Sequence, residues 1–354
     1  PPLGGRNRLH ESDLRALTEL AYPTYGRVDQ EPTFRFSSPC QVYSLLGRLF
    51  DMVRRGQPLV VWLDDLQWGV EGVALIEHIF ERPDDQPILF VGTHRAGRGV
   101  RDAEAVERID RLCEEERGES IEVGPLSSGD HRRLIEQLIG LAGDTVEPIV
   151  EATAGDPQFA DELLGYWAER GELTGQAAEL SVTEAALESI PEDIDALWMQ
   201  RVEGMIETFD AEEAGQARRA LEVAAALGPE VDRREWEIVL ARLEIESPAE
   251  LWRRVVERGW ARPTERGWRL THRQFSDTFE QLARRAGRWR RYHRVCASTI
   301  ETMYGAESGG KSGRRVKHWL AAGQTESALE PLLQEVHRRD RYGDYARLVH
   351  LLEL

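Results

Sequence analysis

Two continuous apolar runs, each ending on polar residues and separated by one helix-length stretch, set the first constraint on what this chain can fold into. In Pro58–Trp68 the residues Leu59 to Leu63 are bulky or β-branched, with no polar interruption. That is the pattern of a strand buried on both faces of a parallel sheet. A second run, Pro87 to Arg95, repeats it and closes on Thr93, His94 and Arg95. Between them Val70, Val73, Ala74, Ile76 and Phe80 recur at helical spacing. Strand, helix and strand in this order predict a right-handed parallel crossover, which brings both polar ends to one edge of the sheet.

The first run ends on two carboxylates, Asp64 and Asp65. Open α/β sheets place their ligands at this carboxyl edge. An acidic pair there suits a hydrated Mg²⁺ on one carboxylate and an attacking water oriented by the other. The plainer alternative is a strand that turns into solvent through Asp-Asp. Arg95, from the same edge, could meet a phosphate with its planar fork, or simply close its strand as a surface arginine.

A chain of 354 residues has room for two or three domains, and 41% hydrophobic with 31% charged residues places it among globular proteins. No apolar stretch approaches the length of a membrane span and no signal peptide is read, so a cytoplasmic setting without membrane contact is expected. Cys40, Cys113 and Cys296 lie far apart without metal-ligand spacing and read as reduced thiols. A formal net charge of −18 argues against broad nucleic-acid binding. One basic cluster stands against that balance: Arg284, Arg285, Arg288, Arg290, Arg291 and Arg294 surround Trp289 and Tyr292. It reads as a solvated helix face with aromatics turned inward, the alternative being contact with nucleic acid or a phosphorylated partner.

Along the chain the α/β signal occupies about residues 50 to 125, with a third short strand expected at Ser120 to Val123. Beyond Gly124-Pro125 the pattern turns helical. Ser127 or Ser128 can cap a helix through Leu141, and Asp144 or Thr145 the next. Pro157 suits the first turn of a third helix, where a missing N–H costs little. Gly171 to Glu188, polar and rich in Gly and Glu, reads as a linker or exposed loop. Ile190-Pro191 opens another helix with Ile194, Leu197, Trp198, Val202 and Met205 on one face. From Ala211 to Tyr304 three helices precede a short hairpin at Trp260–Arg262 and Trp268–Thr271, the outline of a winged helix. Arg314 to Leu354 predicts three short amphipathic helices, of which His318–Gln324 and Ala328–Leu333 resemble a tetratricopeptide-type hairpin.

Taken in order, these motifs resemble a bacterial signal-transduction ATPase of the STAND class, related to AAA ATPases and found in LuxR-like activators and some serine/threonine kinases. VVWLDDLQW resembles the family's Walker B strand and ILFVGTHR its sensor strand. GDPQFADELL, Gly155 to Leu164, resembles the motif that starts its lid helix. IPEDIDALWMQRVEGM resembles the helix leading into its winged-helix domain, and WRLTHRQFSDTFEQL, Trp268 to Leu282, the segment that ends that domain. The resemblance covers roughly residues 40 to 340. It implies an α/β fold followed by an all-α one: a partial P-loop-type nucleotide-binding domain at 1–125, a helical lid at 126–188, a winged-helix domain at 189–304 and the start of TPR-like repeats at 305–354. It also implies ATP or ADP with Mg²⁺ as cofactors, protein partners through the helical C-terminal region, and oligomerisation on activation. By the same resemblance Asp64 would hold Mg²⁺, Asp65 would orient the hydrolytic water and Arg95 would sense the γ-phosphate. Gly155 and Pro157 would lie against adenine, and His272 would approach the β-phosphate of ADP. Where the family has Asp after that histidine, this chain has Arg273.

The family's phosphate-binding loop, GxxxxGK[ST], is absent ahead of Asp64. Asp13 to Phe50 resembles the helical stretch that follows that loop, and Leu3-Gly4-Gly5-Arg6 the element that precedes it. The loop lies outside this stretch of chain or has been lost. GAESGGKS, Gly305 to Ser312, satisfies the pattern letter for letter with Lys311 and Ser312 in the key positions. Its context is wrong: a phosphate loop needs a strand before it, whereas Tyr292 to Met303 reads as an amphipathic helix. The expectation is therefore a nucleotide-operated switch module with impaired hydrolysis. The alternatives are a nucleotide-free helical scaffold for protein partners and, from the arginine cluster alone, a DNA-binding winged helix.

Overall fold

A computed structural model describes residues 10–21, 34, 36–66, 70–82, 87–94, 103–115, 117–139, 145–176, 179–305 and 311–342. Arg95, Leu3 to Arg6, Asp144, residues 306–310 and the last expected helix lie outside the described residues. The chain is mostly helical with small sheets. It divides into two compact units, one within 1–121, 304–317 and 325–354, the other within 122–303 and 318–324.

The first unit contains α1 (Glu11–Ala21), α2 (Pro39–Arg54), β1 (Leu59–Leu63), α3 (Val70–Phe80), β2 (Ile88–Gly92) and α4 (Ala103–Glu114). β1 and β2 pair in parallel, in register from Leu59↔Ile88 to Leu63↔Gly92, as the crossover pattern predicts. Leu63 and Phe90 pack with Leu66, Val73, Ile76, Ala105 and Leu112 into one small core. The other side of the sheet departs from expectation. Val60, Trp62 and Leu89 are 61%, 64% and 60% exposed, so the strands are half-buried on one face and exposed on the other. The expected third strand at Ser120–Val123 does not form either. Ile121 and Val123 are 79% and 92% exposed in an extended segment without strand pairing. An alternating apolar pattern makes a segment competent for a sheet, but a ladder also needs a neighbouring edge.

In the second unit α5 (Ser128–Ile139), α6 (Val146–Thr153) and α7 (Pro157–Arg170) come first. Ser127 caps α5, its hydroxyl accepting from the Asp130 amide at 3.2 Å. Asp156 caps α7 through the amides of Gln158 and Phe159, and Pro157 takes the first turn. The stretch read as a linker is ordered structure: an antiparallel hairpin of β3 (Leu173–Gln176) and β4 (Glu179–Val182), then α8 (Glu184–Glu188). Its apolar residues explain why, since Val182 and Ala186 join Ile135, Ile149, Phe159, Leu163, Trp167 and Leu197 in one core.

Next follow α9 (Ile194–Ile206), α10 (Ala211–Leu227), β5 (Glu230–Asp232), α11 (Arg233–Leu243), α12 (Leu251–Glu257), β6 (Ala261–Thr264), β7 (Gly267–Leu270), α13 (Arg273–Arg285) and α14 (Trp289–Tyr304). Where a two-stranded hairpin was expected, β5 adds a third strand, giving an antiparallel sheet ordered β5-β7-β6. A larger core fills this part, from Trp198, Val202 and Met205 through Leu221, Trp236 and Val255 to Phe275 and Tyr292. The two cores of this unit meet at α9, where Leu197 belongs to one, Trp198 to the other, and Ile194 packs against both. In the first unit again, the start of α15 (Ser312–Ala321) meets α16 (Thr325–Tyr342) through the Ser312–Glu335 hydrogen bond.

Candidate functional site

The parallel register brings the ends of β1 and β2 level, and the chain links them just beyond the ladder. The Thr93 amide donates to the Leu63 carbonyl at 3.0 Å, and the Leu66 amide to the Thr93 carbonyl at 2.8 Å. The Thr93 hydroxyl donates to Asp64 Oδ1 at 2.5 Å and accepts from the Asp65 amide at 2.9 Å. One side chain thus fixes both acidic residues. Asp65 sits in the left-handed region, φ 57°, a conformation Asp adopts more readily than most residues. Leu66 then turns inward, 8% exposed, over Gly92. A Cβ at Gly92 would come within 2.4 Å of Leu66 Cδ1, so glycine there is what lets the strand ends converge.

Chemically the edge offers two carboxylates and a hydroxyl, with Asp64 exposed and Asp65 and Thr93 half-buried. Mg²⁺ commonly takes one or two carboxylates and keeps several waters, so this donor set fits it. Thr93 is the residue whose role sequence reasoning missed. Its signal was there, a hydroxyl residue one step beyond an apolar run that pairs with Leu59–Leu63. His94 follows it, with Nδ1 buried and unpartnered among the described residues.

Gly155, Pro157 and His272 belong to the second unit. Gly155 is buried at φ 82°, and its amide oxygen accepts from the Leu126 amide at 2.9 Å. A Cβ there would lie 2.6 Å from the Leu126 carbonyl oxygen and 2.9 Å from Pro125 Cβ. Close backbone approach therefore accounts for the glycine, while Pro157 is exposed at the start of α7. His272 stands half-exposed just before α13. Its Nδ1 lies 3.5 Å from Glu162 Oε1, and its ring 5.3 Å from that of Trp198. Arg273, which replaces the family's aspartate, pairs with Asp277 at 3.3 Å.

The late glycine loop has the helical context expected of it, with α14 before and α15 after. Lys311 lies over the Tyr304 ring, Nζ 4.8 Å from its centroid. The Ser312 hydroxyl donates to Glu335 Oε2 at 2.5 Å, and Glu335 is 1% exposed. A buried carboxylate thus faces the helix start where a phosphate loop would need its anion.

The basic cluster is also resolved into roles. Trp289 and Tyr292 are buried, as the inward-aromatic reading expects. Arg288 donates twice to Glu222, at 2.9 and 2.5 Å, and the Tyr292 hydroxyl adds a third bond at 2.8 Å. Glu222 is wholly buried, and its bonds to Arg288 push the guanidinium pKa up. Burial, with Glu222 beside it, pushes Tyr292 far above the ordinary tyrosine value. His131, buried in α5, bonds through Nε2 to the Thr153 hydroxyl at 2.6 Å, and burial lowers its pKa. No known protein-family profile matches this chain, and no curated protein matches it.

Proposed function

We propose that this chain is an ATP/ADP-binding regulatory switch module of the STAND type, belonging to a larger signalling or transcription-regulating protein, with hydrolysis impaired. The observation that carries the reading is the Thr93 hydroxyl joining Asp64 and Asp65 at the carboxyl edge of an in-register parallel pair. In this reading Asp64 holds hydrated Mg²⁺, Asp65 orients water and Arg95 senses the γ-phosphate, as the resemblance implies. The β5-β7-β6 sheet with α10, α11 and α12 supports a winged-helix reading of the second unit, and the α15–α16 pair supports a TPR-like one. The cytoplasm is the setting this implies. Among the described residues no helix is long and apolar enough to cross a membrane.

Calorimetric titration of the chain with Mg-ATP and Mg-ADP, beside Asp64→Ala and Lys311→Ala, tests the proposal. Binding that survives Lys311→Ala but weakens or loses its Mg²⁺ dependence in Asp64→Ala is the expected result. Binding lost only in Lys311→Ala would move the site to the glycine loop, and no binding by any variant would sink the switch reading. A second reading, a nucleotide-free scaffold for protein partners, draws on one specific feature. Leu329 and Leu333, one turn apart on α16, are 53% and 54% exposed, an apolar stripe of the kind stacked helical repeats bury.

A further inference from the structure

The second unit holds two apolar cores, and the joint between them is polar. On α7, Glu162 is nearly buried, its side chain 12% exposed. It receives Arg201 Nη1 from α9 and faces His272 Nδ1 at 3.5 Å. Both of those groups lie on or beside elements whose side chains enter the larger core, α9 and α13. Trp198, Val202 and Met205 anchor the α9 face of Arg201 in it, and Phe275 and Phe279 anchor α13 directly after His272. The Trp198 ring sits against both partners, 4.7 Å from the Arg201 guanidinium and 5.3 Å from the His272 ring. Glu162 is thus a key from α7 held in a two-pronged lock. Glu169, one side of α7 further on, takes the other Arg201 nitrogen at 2.6 Å.

This lock can be reached. Arg201 and Glu169 line a cavity of about 380 Å³ together with Tyr166, Arg170, Gly204 and Arg258. Arg258 donates to the Arg254 carbonyl at 3.2 Å and lies over the Trp260 ring, with no carboxylate at ion-pair distance among the described residues, and Arg170 has Glu172 only at 3.9 Å. Glu257, also on the wall, is engaged by Arg253 at 2.7 Å. Gly204 leaves the floor open, since a Cβ there would meet nothing within 4 Å. An entering anion therefore finds Arg258, which no described carboxylate pairs, and Arg170, bonded to the Tyr166 hydroxyl and only loosely paired with Glu172, beside a third guanidinium that two carboxylates share. Guanidinium forks match phosphate oxygens, and such a pairing gains strength where water is partly excluded.

We propose that Glu162 is a latch joining α7 to the larger core, and that a phosphate-class anion entering the Arg170–Arg201–Arg258 cavity releases it by taking Arg201. The proposal goes beyond the nucleotide reading. It uses residues of the second unit alone, so failure of Mg-ATP to bind would leave it standing.

Hydrogen exchange followed by peptide in the full chain, without nucleotide, tests it. Glu162→Gln keeps shape and removes the charge that Arg201 grips and His272 faces. Amides of residues 157–170 are expected to exchange roughly tenfold faster in it, with those of 211–227 unchanged. Millimolar pyrophosphate, against sodium chloride of equal ionic strength, should produce the same pattern in the natural chain, add nothing in Glu162→Gln and lose its effect in Arg258→Gln. Should Glu162→Gln fail to fold, His272→Gln removes one half-exposed prong and should speed the same amides by a smaller factor. Unchanged exchange of α7 in these variants overturns the latch. A natural chain indifferent to pyrophosphate, or one that responds equally to chloride, overturns the anion's part in releasing it.

Discussion

A carboxylate with no exposure, such as Glu222, is tolerable in an apolar core because Arg288 and Tyr292 both turn donors onto it. Breaking such a group by removing one partner typically costs about 3–5 kcal/mol, since the remaining charge is left buried. Arg288 is one-third exposed and can turn toward water, so Glu222→Ala should sit near 3 kcal/mol, roughly the lower end of that range. Urea unfolding would measure it. Thr93→Val should cost about 1 kcal/mol through the lost bonds to Asp64 and Asp65, with Thr93→Ser restoring most of it. A third residue links stability to acidity. Burial lowers the His131 pKa below the ordinary 6.5, so the unfolded chain binds that proton more readily. Its contribution to stability is complete above pH 6.5 and is lost as the pH falls below it. Melting temperatures compared at about pH 7.5 and 5.5 should fall more in the natural chain than in His131→Gln.

At the scale of elements, Gly155 shows how one backbone position fixes a junction. Gly155→Ala places a Cβ 2.6 Å from the Leu126 carbonyl at a left-handed φ, and should destabilise the chain by about 1–3 kcal/mol. Denaturant titration checks it, with Gly204→Ala, where space is open, as the contrast that should be neutral or stabilising. What could be read from the sequence follows the same division. β1, α3, β2 and the start of α7 were legible because their periodicity and caps are local. Residues 120–123 carried an equally good local pattern and formed no strand, since pairing depends on an edge that the pattern does not contain. β5 has the reverse problem: three residues, Glu230 to Asp232, become a strand through β7. The Gly- and Glu-rich hairpin β3–β4 was hidden by its composition. Of the site residues, Asp64 and Asp65 announced themselves by position. Glu162, Glu222 and Glu335 carry no local mark in the sequence, and only their partners, distant in sequence, make them structural.

Over the whole molecule the apolar packing is uneven. The core around α9 to α14 gathers most of the large buried side chains, whereas the described part of the first unit's sheet contributes to one small core. Tryptophan emission should therefore follow the larger core, and its loss in guanidinium should come at a higher concentration than the first loss of helical signal by circular dichroism. Coincident transitions would count against two separately stable units. Replacing Val60, Trp62 and Leu89 by threonine should change stability by less than about 0.5 kcal/mol per site, since most of each side chain stays exposed on folding. The exposed face also has a spectroscopic use. Trp62, 64% exposed, stands two residues before Asp64, and the other described tryptophans are buried or half-buried. Iodide will quench its emission while leaving the core indoles lit. Protection of that quenchable fraction would report anything that settles beside the strand ends, with no label attached to the chain.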